Sequence, residues 1–184
     1  MIKLQFWKGP LLVLLTAVFL GACTNVAAEY LSQLNDALAK YDLWNEEAVV
    51  PYNKLLEAKT NGNPEATYGQ LITNTIQNHI AGDQRRADLT WDAADLQAVK
   101  GQAQMVYDGA RPLLTQLEKM TPPDYMIDAH LVLQECVKYE MNIAATILIF
   151  LNENKFEPVN YAYKPCETVD VALQVLRDFA DSNQ

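Results

Sequence analysis

The chain has 184 residues, 23 acidic against 14 basic, a formal net charge of −9, and half of its residues hydrophobic. That length suits one domain with an ordinary core. The acidic balance repels nucleic acid and anionic lipid headgroups, and the acids are dispersed rather than gathered into a tail.

Lys3 and Lys8 open the chain, and the uncharged run from Pro10 to Ala22 closes on Cys23. These thirteen apolar or small residues fall short of the ~20 needed for a membrane span. A positive start, a short apolar centre and small residues at its end form the pattern of a cleaved export signal. The alternative is a short buried helix, although no capping residue opens it and no polar face interrupts it.

Leu20-Gly21-Ala22-Cys23 resembles the lipobox of bacterial lipoproteins, an aliphatic residue and two small residues before a cysteine. The resemblance covers the N-terminal signal alone. It implies a signal peptide over 1–22, cleavage before Cys23, a diacylglyceryl group on its sulfur and acylation of the new amino group. Thr24 rather than Asp follows the cysteine, which implies outer-membrane sorting in a cell with two membranes. In a cell with one, it implies the outer face of the plasma membrane. Two or three acyl chains hold stably where one does not, each buried methylene adding ~0.8 kcal/mol. A competing cut after Val26-Ala27-Ala28 fits ordinary signal cleavage and would discard Cys23. Removing residues 1–22 takes away Lys3 and Lys8 and no acid, so 12 basic residues face 23 acidic ones, a net charge of −11.

Residues 23–28 then read as a short lipidated tether, and 29–184 as one helical domain. From Tyr30 the apolar residues Leu34, Leu38, Tyr41, Trp44, Ala48, Tyr52 and Leu55 follow at steps of three or four, one stripe of a helix. Pro51 lies inside it, which predicts a kink or a break. "KTNGNP" (Lys59–Pro64) closes this element. A second helix is expected from about Pro64 to Ile80 on Tyr68, Ile72 and Ile76, and Ala81–Thr90 reads as a linker. Thr90 caps a third helix, with Leu96, Val99, Ala103, Val106, Ala110, Leu113, Leu117 and Met120 on its stripe and Pro112 inside it.

"MTPPD" resets the chain, with Thr121 as a cap and Pro122 at the first position of a fourth helix reaching Asn152. Its second half, "NIAATILIFLN", is apolar nearly all round, as a core helix should be. Glu153–Pro165 is an irregular return, and a last helix over about Glu167–Ala180 shows Val169, Leu173, Leu176 and Phe179. No period-two strand pattern appears. The expected fold is therefore all-α, an up-down antiparallel bundle of four helices plus a C-terminal fifth.

With Cys23 lipidated, Cys136 and Cys166 remain as an even pair in an oxidising compartment, which reads as a disulfide. Two separate buried thiols are the alternative. The extended return after Asn152 is long enough to descend beside the fourth helix and bring Cys166 level with Cys136.

The chemistry-bearing residues are few. No Glu-x-x-His pair, H-E-x-x-H, C-x-x-C-H, G-x-S-x-G or phosphate-loop motif occurs. The two histidines, His79 and His130, leave room only for a mixed site with carboxylates. His130 reads as a proton switch or ligand contact, or as a histidine at the bundle surface or hydrogen-bonded inside it. Tyr161 and Tyr163 either cover the fourth helix or form a recognition surface. Arg85-Arg86 could meet an acidic partner or a phosphate but reads first as a solvated loop pair, and Trp91, Asp92 and Asp95 could line a site but read first as packing at a helix start. These residues predict no enzyme, cofactor or metal. They predict a lipid-anchored envelope protein with a binding or structural role. The partners expected are the membrane, through Cys23, and an envelope protein or ligand; the alternative is a bundle holding a small ligand or metal.

Overall fold

The computed structural model describes residues 10–59, 93–153 and 165–183. They form α1 (Pro10–Trp44), α2 (Val50–Lys59), α3 (Ala93–Lys119), α4 (Ile127–Glu153) and α5 (Val169–Ser182). No strand occurs among the described residues, so the all-helical class is as the periodicity predicts. The helix expected over 64–80, the linker after it and most of the return over 153–165 lie outside the described residues.

The element boundaries differ from the expected ones, each for a local reason. The tether expected over 23–28 is helical, because α1 runs unbroken from Pro10 to Trp44. Nothing in Thr24–Ala28 breaks a helix, and two alanines there favour one. Pro51 neither ends the helix nor simply kinks it. A π-helical turn, Asn45–Val49, precedes it, and the Val50 N–H donates to Asn45 O, five residues back. Proline has no N–H, and its ring crowds the carbonyl four residues earlier; the wider turn relieves both. The turn also rotates the helix face beyond it. The expected stripe ended on Leu55, but Leu56 is the buried residue and Leu55 is half-buried.

Pro112 lies inside α3, on its exposed side, where the carbonyl it leaves unbonded faces solvent. At α4 the expected cap is displaced. A 3-10 turn, Asp124–Met126, follows Pro123, and α4 starts only at Ile127. Another 3-10 turn, Pro165–Thr168, leads into α5.

One core joins these helices. Tyr30, Leu34, Leu38, Tyr41 and Trp44 of α1 meet Val99, Ala103, Val106, Ala110, Leu113 and Leu117 of α3. Leu133, Val137 and Ile143 of α4 and Leu173, Leu176 and Phe179 of α5 complete it. The helix directions follow from cross-contacts. Gln33 meets Gln116 while Trp44 meets Val106, so α1 and α3 are antiparallel. Tyr30 meets His130 of α4 and Phe179 of α5 at one end of the bundle.

Trp44 is the tightest point of this packing. Its indole N–H donates to Val106 O at 3.0 Å, and Tyr41 meets its ring edge-on at 5.8 Å. The ring lies against the bare backbone of Gly109, where any Cβ would overlap the indole. Gly101, two turns earlier on α3, has open space at the same position. Gly109→Ala therefore lowers stability by roughly 1–2 kcal/mol, overpacking outweighing the gain in helix propensity. Gly101→Ala raises it by ~0.5–1 kcal/mol. Urea unfolding of both variants checks the contrast; a stabilised Gly109→Ala, or a destabilised Gly101→Ala, would contradict the packing.

Candidate functional site

Two polar clusters stand out within the helical core of the described residues, and both include α4. The first is at the end of the bundle from which α1 enters. Cys23 belongs to the α1 backbone, and Tyr30 follows it by two turns. The Tyr30 hydroxyl is 3.2 Å from His130 Nδ1, and His130 Nε2 is 3.0 Å from Leu117 O. A carbonyl can only accept, so Nε2 carries the proton, and Nδ1 accepts from the tyrosine. Leu117 O lies in the last turn of α3, among the carbonyls a helix leaves without a partner, and His130 supplies one. Met120 N–H also donates to it.

Both residues are buried, at 1% and 2% exposure. Burial raises the Tyr30 hydroxyl far above its ordinary range. Burial also lowers the His130 pKa, with the bond to Leu117 acting the other way. Each ring nitrogen already has a partner within the chain, so a ligand would have to displace one. Around them, Phe179 stacks obliquely on Tyr30 at 6.0 Å, and Tyr125 meets Phe179 edge-on at 5.9 Å.

The second cluster surrounds the cysteines. Cys136 and Cys166 form a disulfide with Cα atoms 4.8 Å apart, closing a span of 30 residues. In the chain-entropy model such a loop contributes about 3–4 kcal/mol. Glu140 follows Cys136 by one turn of α4, and its Oε1 lies 3.7 Å from Cys166 Sγ. Its Oε2 is buried without a hydrogen-bond partner. Burial pushes the carboxyl up to about 7. Tyr41 of α1 is pushed up to about 12, by burial first and then by the nearby charges of Asp170, Glu140 and Asp42, with Arg177 opposing them.

Glu140 is the residue that sequence reasoning passed over. Its signal was available in "CVKYE", where Cys136 and Glu140 are four apart and share a helix face. The two clusters lie apart. Cys23 is at the entry end, while the disulfide and Glu140 lie further along α4. Of the other candidates, Tyr161, Tyr163, His79, Arg85, Arg86, Trp91 and Asp92 are outside the described residues, and Asp95 falls in the first turn of α3. Among the described residues no three His, Cys, Asp or Glu side chains converge as a metal site would require, and no helix is long and apolar enough to cross a membrane. An open apolar groove between α2 and α3 is lined by Pro51, Leu55, Ala98, Gly101 and Met105.

Glu140 makes stability depend on pH. An acid held near 7 in the fold, against its ordinary 4.5, keeps its proton longer folded than unfolded. Its neutral form is therefore fully accommodated below pH 4.5, and stability is lost as pH rises through 7. The loss amounts to about 3 kcal/mol at most. Glu140→Gln should flatten the slope of stability between pH 5 and 8 and make the variant the more stable at the alkaline end. Denaturant titrations at several pH values check this; an unchanged slope would mean the carboxyl is hydrated. No protein-family model, curated protein or solved structure matches this chain.

Proposed function

We propose that the chain is an extracytoplasmic lipoprotein, anchored through lipid on Cys23, with a non-enzymatic binding or structural role in the cell envelope. The observation that carries the reading is the uncharged apolar run closing on Leu20-Gly21-Ala22-Cys23. The disulfide between Cys136 and Cys166 supports an oxidising compartment. Cleavage before Cys23 leaves the lipidated residue at the head of a helix that continues into the core.

In a cell with two membranes the address is the outer membrane, given Thr24; in a cell with one it is the outer face of the plasma membrane. With a net charge of −11 after processing, the domain takes no nucleic acid as partner, and its hold on the membrane is lipid rather than headgroup charge. The alternating directions of the described helices support an up-down bundle. A helix on the stripe of Tyr68, Ile72 and Ile76 would fall in sequence between α1 and α3, which are themselves antiparallel, so it would join the four alternating helices without continuing their strict alternation.

Mass spectrometry of the N-terminal peptide, from protein expressed in a bacterium with its own leader, tests the anchor. The expected peptide begins at Cys23 and carries the mass of a diacylglyceryl group. A peptide beginning at Glu29, or an uncleaved leader, would overturn the lipoprotein reading.

A further inference from the structure

We infer that the end of the bundle from which α1 enters is a membrane-contact surface, and that Tyr125 and Ile127 rest in the neutral interface of the bilayer that holds Cys23. This rests on the anchored reading above and adds an orientation to it. Because α1 is helical through Cys23, the lipidated residue is a fixed distance from the core. Val26 to Tyr30 lie only ~5–10 Å further along the helix axis. The α3–α4 turn is level with them: Lys119 and Thr121 line one small pocket with Val26, Glu29, Tyr30 and Gln33. The headgroup layer on each side of a bilayer is itself ~5–7 Å deep. A sulfur tied to lipid at Cys23 therefore brings this turn to the water–lipid boundary.

The side chains on that end suit the boundary. Tyr125 is 66% exposed, a large aromatic face turned to the surface. Val26, 44% exposed, shares the small pocket with Lys119 and Thr121, and Ile127 at 37% and Leu131 at 47% are exposed one turn apart at the start of α4. Among the described residues nothing covers these four, although Tyr125 is held in place by its edge-on contact with Phe179. A ring with an apolar body and a polar tip is the side chain that interfaces favour. The charges set the lipid class. Exposed Glu29, Asp124, Asp128 and Asp181 share this end with Lys119. A net negative rim is repelled by anionic headgroups and tolerated by zwitterionic ones.

The test uses the processed full chain in phosphatidylcholine vesicles. Tyr125→Cys gives a single free thiol beside the disulfide and the lipidated Cys23, and it takes an environment-sensitive fluorophore. Asn152→Cys, on the exposed far end of α4, provides the control. With quencher on the lipid headgroup-proximal chain, the probe at 125 should lose most of its emission while the probe at 152 keeps it. Added phosphatidylglycerol should weaken the quenching. Equal emission at both positions, with Cys23 shown by mass to carry lipid, overturns the contact surface and leaves the anchor standing. Quenching that grows with phosphatidylglycerol overturns the neutral-lipid assignment. An unmodified Cys23 overturns the anchor, and the surface with it. Near-ultraviolet circular dichroism of both variants confirms the native packing, since Tyr125 and Asn152 are both exposed.

Discussion

The packing of Trp44 on Gly109 sets the distance between α1 and α3, and the other helices arrange themselves around that pair. An indole is the largest side chain a core must place, and here it has no room beyond a bare glycine. The hydrogen bond to Val106 O fixes its rotation, so the register of α1 against α3 has one solution. Leu34, Leu38 and Tyr41 of α1 and Ala110 and Leu113 of α3 then join one core. Small residues on α3, Ala103 and Ala110, permit the same close approach on either side.

The π turn begins at the next residue, and the two features belong together. Trp44 pins α1 from one side, while Pro51 forbids regular continuation from the other. The chain between them takes one wide turn and resumes as α2 with its buried face rotated. At the opposite end of the sequence, the disulfide plays the pinning role for α5. That helix is short, and its polar anchors, such as Arg177 with Asp42, are exposed, worth little individually. The covalent link to α4 places its start, and the apolar face of Val169, Leu173, Leu176 and Phe179 does the rest.

Much of this was readable from spacing. The α3 stripe from Val99 through Met120 is buried throughout, because a three-to-four repeat forces a helix face inward whatever the partner. The cysteine pair was readable by counting. Where two chain segments meet was not readable, and this is why Glu140 and the Trp44–Gly109 contact were missed: each acquires its meaning from a residue distant in sequence. The boundaries near proline went astray for a different reason. Pro51 announces that a helix is disturbed and Pro122 that one begins, and the outcome, a π turn in one case and a 3-10 turn before the helix in the other, depends on what the neighbours leave free. His130 was identified as a candidate, but its role came only with Tyr30, one hundred positions away.

The unbroken backbone from Cys23 into the core has a mechanical consequence. A flexible leader lets an anchored domain roam a hemisphere above its attachment point. A helical one, clamped at Tyr30 and Trp44, behaves as a short rigid post. On the anchored reading, the domain then moves as a piece with its lipid. It rotates about the membrane normal and drifts laterally, but it cannot lean out to search the space above. Encounters with other molecules become a two-dimensional matter, limited to whatever stands within the height of the bundle itself. A flexible insert between Cys23 and Glu29 would convert the post to a leash and change which neighbours are within range, without altering a single contact in the core.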